Sequence, residues 1–317
     1  MNKIATIIVT YNRKTELLRC LDSVFNQTLK SDYVIVVNNA SSDGTEVLLK
    51  ERYPYLIEEK NETGISKDVQ KKLILINLNK NTGGSGGFFT GMKYAHEILN
   101  ANLYWLMDDD GYPSQNCLEM LVEKSYLYDY VMPVSIDIIN HTKLSWPVRK
   151  RNGKKTDNFK DLKESWGEIL DYVTPFNGIL LSKKTLDEVG YINPQFFIWG
   201  DEYDHYWRCI KKNIRPVTYL NAIFYHPAAK LPLVRIFFGL LRVPYVDSEM
   251  RMVCLTRNYT YIYRHYNQKW KIPLKWLMYF WLFHFTRHND KKGWKLYKES
   301  VKDGFKEDFT RHLQYLK

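Results

Sequence analysis

Apolar runs of strand length alternate with segments of helical period along the first 130 residues. The runs lie at 4–10, 33–37, 72–78 and 103–107. After the first run, apolar residues recur at helical spacing and mark one helix face: Leu17, Leu18, Leu21, Val24 and Phe25. Two further helices are predicted, one from Thr45 to before Pro54 and one ending at Leu99. This alternation predicts an α/β protein with a mostly parallel sheet flanked by helices.

The pattern is less regular beyond the first half. Residues 58–72 are polar and are predicted to be a loop. Residues 134–171 are charged and lack a period, which predicts an excursion over the surface. Regular elements then resume, with strands at 176–181 and 216–220, a helix at 184–189 that ends at Gly190, and a helix at 201–212.

Polar clusters follow four of the predicted strands, at 10–13, 38–43, 81–87 and 108–110. In an open parallel sheet, ligands bind beyond the carboxyl ends of the strands. The four clusters are therefore predicted to share one rim of the sheet and to form the binding site.

The charge of the chain is unevenly distributed. The net charge is +11, and residues 230–317 carry 18 Lys and Arg against 7 Asp and Glu, whereas residues 1–229 carry 28 of each sign. We therefore expect a neutral catalytic domain at 1–229 and a basic, aromatic-rich helical region at 230–317. Apolar runs at 231–241 and 276–285 leave two roles open for this region, contact with an anionic membrane surface or packing with a basic solvated face. No nucleic-acid motif is present, so nucleic acid is not an expected partner.

The cysteines and the apolar runs bear on location. The four cysteines have no zinc-ligand spacing and are predicted to be reduced, buried thiols: Cys20, Cys117, Cys209 and Cys254. The N-terminal apolar run is too short for a signal peptide, and no run reaches the roughly 18–20 apolar residues that span a bilayer. We therefore expect a cytoplasmic protein, peripheral on the inner face of the cell membrane. Homo-oligomerisation stays open.

Three consecutive carboxylates, Asp108, Asp109 and Asp110, end the fourth apolar run. Their mutual repulsion favours a bound cation, and hard divalent cations bridge carboxylates to substrate phosphates. Alternate residues of an extended segment face the same way, so Asp108 and Asp110 are the predicted ligands. The alternative is a solvated acidic turn, because residues 111–113 are good turn formers.

Three further features carry two interpretations each. The glycine-rich segment 81–87 suits close approach to an anion or a tight strand-to-helix turn. Asp201 and Glu202 precede a helix, where carboxylates act as caps or, in a sugar transfer, as the general base. His226 follows a strand near the same rim, as a packing residue or a metal ligand.

Taken in chain order, these features resemble the family 2 inverting glycosyltransferases, which have the nucleotide-sugar-binding GT-A fold. The resemblance covers residues 4–226, and its matching segments are 7–13, 37–45, 81–87, 108–110, 177–178 and 201–208. It implies that a divalent cation, Mn²⁺ or Mg²⁺, is held by Asp108 and Asp110. It also implies that Asp201 is the general base, with Glu202 as the second candidate.

The resemblance further implies that four residues border the nucleotide base and ribose: Thr10, Asn12, Arg13 and Asn38. Gly83, Gly84 and Asp109 complete the predicted nucleotide-binding set. One of them departs from the family pattern, since the family usually has Asp where Asn38 stands. Asn keeps a carbonyl acceptor for a pyrimidine N–H but loses the charge.

The glycine-rich form, the aspartate triplet and Trp199 before the acidic pair look most like the galactofuranosyltransferase branch. In that branch a histidine also ligates the metal, and His226 fits its position. The expected function is a metal-dependent, inverting hexosyl transfer from a UDP-sugar to a glycan or lipid-linked acceptor in bacterial surface-polysaccharide synthesis.

A rhamnosyltransferase that uses dTDP-rhamnose is the close alternative. A nucleotidyltransferase would show a glycine-rich, basic N-terminal loop where this chain has Thr10 to Arg13, and an inactive membrane-associated scaffold is the alternative from another class.

Overall fold

A computed structural model describes residues 2–59, 73–173, 177–228 and 232–316. The chain divides into two compact units, one of Met1–Pro194 with His205–Ala229 and one of Gln195–Asp204 with Lys230–Lys317. The segment that carries Asp201 and Glu202 thus belongs to the same unit as the C-terminal region. The assignment of catalysis to 1–229 and of surface contacts to 230–317 stays a prediction.

The first unit is built around a mixed sheet. Its described strands are β1 Ile4–Thr10, β2 Tyr33–Asn38, β3 Ile57–Glu59, β4 Leu73–Asn77, β5 Leu103–Asp108, β6 Tyr112–Pro113, β7 Tyr130–Asp137, β8 Lys143–Arg149, β9 Lys155–Asn158, β10 Ile169–Leu170, β11 Ile179–Ser182 and β12 Pro216–His226. The main path has the order β10-β12-β7-β11-β5-β1-β2-β4-β3. Neighbouring strands from β5 to β3 are parallel, and β7 and β12 are parallel to each other. The mainly parallel sheet confirms the predicted fold class.

Helices cover this sheet: α1 Lys14–Phe25, α2 Thr45–Arg52, α3 Gly83–Lys93, α4 Cys117–Ser125, α5 Phe159–Trp166, α6 Lys183–Val189 and α7 Asp201–Lys211, the last of which begins in the second unit. The alternation of side chains along β1 explains the layers. Ile4 and Ile8 enter the core on one face, and Ala5, Ile7 and Val9 enter the core on the other. A strand that is buried on both faces reads as a continuous apolar run, which is why the sequence predicts it so clearly.

The antiparallel strand β11 sets the rim. It pairs with both β5 and β7 in antiparallel register, so β7 and β12 run in the same direction as β5. The carboxyl ends of β1, β2, β5 and β12 therefore meet at one edge. Thr10, Asn38, Asp108 and His226 are the final residues of these four strands.

Several sequence predictions need correction. Residues 134–171 are not a surface excursion. They form β8, β9, α5 and β10, and a small core with residues from Val134 to Leu220. The predicted loop at 58–72 overlaps β3 at its start, and 60–72 lie outside the described residues. The strand predicted at 216–220 continues to His226. Of the strand predicted at 176–181, residue 176 lies outside the described residues, and the observed strand is Ile179–Ser182.

The glycine-rich segment forms the first turns of α3, which begins at Gly83. A Cβ on Gly87 would lie 2.4 Å from Val9 Cγ1, and a Cβ on Gly91 would lie 2.5 Å from Ile7 Cγ2. These two glycines allow α3 to pack directly on β1. These glycines thus serve the packing of a helix on the sheet. Neither of the two roles predicted from the sequence, approach to an anion or a tight turn, included this packing.

The second unit is mostly helical: α8 Glu249–His265, α9 Lys271–Trp281 and α10 Lys291–Lys306, with a hairpin of β13 Leu233–Ile236 and β14 Leu241–Pro244. Its core includes Ile236, Val243, Leu282, Phe283 and Tyr297. In the described part of the chain no helix is both long and apolar enough to cross a bilayer. All four cysteines are buried, as predicted, and none forms a disulfide with another cysteine of the described residues.

We expect Gly91→Ala to destabilise the protein by about 1 to 3 kcal/mol, because the added methyl overpacks the contact between α3 and β1. Thermal unfolding followed by circular dichroism measures this. Gly84→Ala is the matched control, since a Cβ there meets nothing within 4 Å. The control should be neutral or stabilising by up to about 1 kcal/mol. Equal stability of the two variants would contradict the packing role.

Candidate active site

Asp109 lies at the centre of the rim, with only 3% of its surface exposed. Its Oδ2 accepts a hydrogen bond of 2.7 Å from the hydroxyl of Thr10, and its Oδ1 lies 3.2 Å from Nη1 of Arg13. Burial raises the pKa of Asp109 to about 6, and the Thr10 and Arg13 contacts oppose that rise. The carboxylate of Asp109 thus joins the end of β1 to the end of β5.

Asp110 points to a different set of partners. Its Oδ2 accepts a 2.7 Å hydrogen bond from Nη1 of Arg13, so one guanidinium nitrogen bridges Asp109 and Asp110. Its Oδ1 lies 3.2 Å from Nε2 of His226. Burial disfavours the charged form of Asp110, but His226 and Arg13 outweigh burial and lower its pKa. The structure therefore brings Asp110 and His226 together, as the sequence predicts.

The tautomer of His226 matters for this contact. Nδ1 lies 2.7 Å from the carbonyl oxygen of Pro227, so in a neutral imidazole Nδ1 donates its proton there. In that neutral form Nε2 presents a lone pair towards Oδ1 of Asp110, whereas in the protonated form Nε2 donates to Oδ1 and lowers the pKa of Asp110. Trp146 stacks on the imidazole, with ring centroids 4.7 Å apart, and fixes its plane. Two lone pairs at this distance need a proton or a cation between them.

This pair of donors fits a hard divalent cation. Ligands on adjacent corners of an octahedron with bonds of about 2.1 Å lie about 3 Å apart, close to the observed separation. A metal-bound histidine usually donates its other N–H to a carbonyl, as Nδ1 does here. In the ranges that the structure describes, no three His, Cys, Asp or Glu side chains form a complete ligand group. Asp108 thus does not join Asp110 and His226 in such a group, and substrate phosphates and water would supply the remaining ligands.

From the sequence, Gly111 was predicted only to be part of a turn, and its close contact with β12 was not predicted. After the triplet, β6 pairs with β12 next to His226 and carries the chain across the rim. A Cβ on Gly111 would lie 2.3 Å from the ring of Phe224 and 2.8 Å from the carbonyl oxygen of Tyr225. The absence of a side chain at Gly111 therefore brings Asp110 to the end of β12. The role of Trp146 beside His226 was not predicted either. Trp146 lies in a charged segment without periodicity, and nothing in that segment indicated a contact with the site.

The carboxyl end of β2 and the N-terminus of α3 form the other part of the rim. Asn38 is buried, its Nδ2 donates to Oδ1 of Asn77 at 2.8 Å, and its Oδ1 accepts from the Ser41 amide at 3.1 Å. Asn39 accepts from the Thr82 amide at 2.8 Å and donates to the carbonyl of Gly83 at 2.9 Å. These asparagines tie the loop after β2 to its neighbours, and the role of Asn39 is another that the sequence did not reveal.

Asn12, Gly83 and Gly84 complete the predicted nucleotide-binding set. Asn12 has a positive φ of 54° and accepts a 2.7 Å hydrogen bond from the Ser42 amide. Gly83 begins α3 with φ of 72°, a conformation that glycine adopts without strain. Gly84 has open space beside it.

The acidic pair lies in the second unit at the start of α7. Asp201 is buried, and Glu202 accepts a 3.0 Å hydrogen bond from the Gly200 amide. Burial and the neighbouring charge of Asp201 raise the pKa of Glu202 well above its ordinary value. The raised pKa favours the protonated form of Glu202 over that of an ordinary glutamate, and this agrees with Asp201 as the first candidate for the base.

The loop before the acidic pair is strained. Phe197 and Trp199 have φ of 68° and 62°, which is unusual for bulky side chains. Nδ2 of Asn258 in α8 lies 3.0, 2.9 and 2.7 Å from the carbonyl oxygens of residues 196, 198 and 199, so its two N–H groups serve three acceptors and one of them is shared. The fully buried Arg257 donates to the carbonyl of residue 196 at 3.0 Å. Two consecutive residues of one helix thus hold the loop that leads into Asp201.

The family model described as Glycosyl transferase family 2 matches residues 5–190. The chain belongs to glycosyl transferase family 2. Galactofuranosyltransferase GlfT1 from Mycolicibacterium smegmatis is 27% identical over 315 residues, which cover 97% of this chain and 98% of that protein. The resemblance drawn from the sequence is confirmed, and the chain is a glycosyltransferase.

Solved structures share the fold of this transferase. S. aureus TarS 1–349 matches with a TM-score of 0.50 and 14% identity over 97% of this chain and 82% of that one. GalNAc-T7, solved with UDP, GalNAc and Mn²⁺, matches with a TM-score of 0.58 and 11% identity over 99% of this chain and 58% of that one. Both support the GT-A-type architecture.

Asn258→Ala in this transferase should lower stability by about 1 to 3 kcal/mol, because buried carbonyls lose their donor. It should also reduce activity, since the strained loop before Asp201 relaxes. Urea unfolding and a donor-turnover assay measure the two effects. Arg251→Ala, at an exposed position of the same helix, should change stability by less than about 0.5 kcal/mol. An active Asn258→Ala variant of normal stability would show that the loop keeps its conformation without this residue.

Proposed function

We propose that this transferase moves galactofuranose from UDP-galactofuranose to a glycan or lipid-linked acceptor in bacterial surface-polysaccharide synthesis, with a divalent cation and with inversion. The nearly full-length similarity to proteins named galactofuranosyltransferase supports the choice of sugar. The use of a UDP-sugar and Mn²⁺ is supported by GalNAc-T7, a protein of similar fold that was solved with UDP and Mn²⁺.

The observation that carries the metal-dependent part is the approach of His226 Nε2 to Asp110 Oδ1 at 3.2 Å. Asp110 and His226 are the proposed ligands of Mn²⁺ or Mg²⁺. Asp108 at the end of β5 forms no ligand group with them in the described residues, so it would have to turn towards the cation to act as the predicted third ligand. When bound, the cation would neutralise charge on the departing nucleoside diphosphate.

The residues of the chain have separate proposed roles in the transfer. Thr10, Asn12, Arg13 and Asn38 border the base and ribose, and Gly83, Gly84 and Asp109 complete the nucleotide-binding set. Asp109 acts chiefly by holding Thr10 and Arg13 in place. Arg13 in turn keeps Asp110 oriented through its 2.7 Å contact.

Asp201 is the proposed general base. It takes the proton of the acceptor hydroxyl as that oxygen bonds to the anomeric carbon, and the bond from that carbon to the diphosphate oxygen breaks. One such displacement inverts the anomeric configuration. Glu202, whose pKa is raised by burial and by Asp201, is not assigned a part in the proton transfer.

A donor assay tests the proposed substrate. We expect metal-dependent turnover of UDP-galactofuranose, and weaker or no turnover of UDP-galactose, UDP-glucose and dTDP-rhamnose. A chelator should abolish turnover, and Mn²⁺ or Mg²⁺ should restore it. Preference for dTDP-rhamnose would move the assignment to the rhamnosyltransferases, and failure to bind any nucleoside diphosphate would favour an inactive scaffold.

A separate measurement of Mn²⁺ binding locates the cation. His226→Ala should weaken Mn²⁺ binding in the presence of UDP by about 10- to 100-fold, measured by electron paramagnetic resonance of free Mn²⁺. His141→Ala is the matched control, because His141 packs on Tyr225 with ring centroids 4.7 Å apart and is not a proposed ligand. Equal Mn²⁺ affinity in the two variants would remove His226 from the site.

Two isosteric variants separate the members of the acidic pair. Asp201→Asn should fold normally and lose transfer by at least about 100-fold, because it cannot accept the proton. Glu202→Gln mimics the protonated side chain and should keep most of the transfer activity. Steady-state kinetics and circular dichroism measure both. An inactive Glu202→Gln beside an active Asp201→Asn would reverse the assignment.

A further inference from the structure

The hairpin of β13 and β14 in the second unit has an apolar tip that the unit does not cover. Ile236 and Val243 point inward and are fully buried in the core of the unit. At the tip, Phe238 is 94% exposed and Leu240 is 82% exposed. The inward residues therefore anchor the hairpin, while the tip presents large apolar side chains to the surroundings.

The backbone at this tip is held in a strained conformation. Phe237 and Phe238 are consecutive and have φ of 48° and 56°, the left-handed region that bulky residues rarely adopt. The ring of Phe237 packs on Trp281 with centroids 4.5 Å apart, which fixes the turn and lets Phe238 project. Strain of this kind persists at functional positions, so the exposed tip is a built feature of the unit.

Two arginines lie on the strands of the hairpin, one on each side of the tip. Arg235 and Arg242 are paired across the hairpin, and both are exposed. Like charges directly opposite each other in a hairpin are destabilising. Neither arginine forms an ion pair or a side-chain hydrogen bond with the residues that the structure describes. The pair is therefore suited to an anion supplied from outside the chain.

The spacing of the apolar and basic groups agrees with the depth of a membrane interface. Arg242 follows Leu240 by two residues, which corresponds to about 7 Å along a strand. Apolar groups of interfacial proteins enter about 5–10 Å past the headgroups. Phe285, which is exposed and packs on Trp281 with centroids 4.5 Å apart, widens the apolar surface next to the tip.

We propose that the β13–β14 hairpin docks on an anionic phospholipid bilayer, with Phe238 and Leu240 among the acyl chains and Arg235 and Arg242 on the lipid phosphates. A bilayer suits this surface better than a second copy of the chain does. In a two-fold contact centred on the tip, the arginine pairs of both copies would lie close to each other, and neither pair has an acidic partner on the hairpin. The docking site goes beyond the proposed sugar transfer and does not depend on its donor.

Vesicle co-sedimentation of the full chain tests this proposal. We expect binding to phosphatidylcholine vesicles that contain phosphatidylglycerol, much weaker binding to phosphatidylcholine alone, and a decrease with added salt. The double variant Phe238→Ser/Leu240→Ser should bind at least about tenfold more weakly. Arg235→Gln/Arg242→Gln should lose about fivefold for each arginine removed.

The controls separate docking from misfolding and from catalysis. Ile139→Ser removes an apolar side chain that is 90% exposed in the first unit, and it should bind vesicles like the wild type. Circular dichroism and turnover of a soluble acceptor should be unchanged in the hairpin variants, because the substituted tip residues lie in solvent.

Two results would overturn the proposal. One is equal vesicle binding by the wild type and the tip variant, including no binding by either. The other is a wild-type dimer, detected by light scattering, that the tip variant converts to a monomer without any change in vesicle binding. That second result would assign the tip to a contact between copies.

Discussion

A single buried carboxylate organises the rim of the catalytic sheet. Asp109 joins the last residue of β1 to the end of β5 through Thr10, and it shares Arg13 with Asp110. Because a buried carboxylate needs partners, the loops that carry Thr10 and Arg13 are fixed relative to the triplet. Asp110 is then directed away from Asp109 and towards His226. The middle aspartate thus sets the geometry that the outer one uses.

Glycines are the second feature that positions the rim. They act by letting neighbouring segments pack closely, not by making loops flexible. Gly87 and Gly91 let α3 pack directly on β1, and Gly111 lets the chain after the triplet pass against Phe224. Each of these contacts leaves no room for a methyl group. The positions of the glycine-rich helix and of Asp110 therefore follow from packing in the interior of the sheet.

The second unit contributes differently to the proposed chemistry. It holds the acidic pair on a strained loop, and the strain is offset by hydrogen bonds from Asn258 and Arg257. The same unit carries a hairpin whose apolar tip and arginine pair suit a membrane surface. The helices of the basic C-terminal region pack around a core, which is one of the two roles that its composition left open. Membrane contact through the hairpin is the proposed second role.

The sequence by itself determined the α/β class, the central strands and the family, because strands buried on both faces read as long apolar runs and the motifs follow them in order. It also placed Asp108, Asp110 and His226 at one rim. It misjudged residues 134–171, where β8 and β9 pair with each other and carry few buried residues. Only the tertiary structure decided which polar residues meet. The contacts of Asp109 with Thr10, of His226 with Asp110 and Trp146, and of Asn258 with the loop before Asp201 join residues far apart in the chain, and no local pattern encodes such pairings.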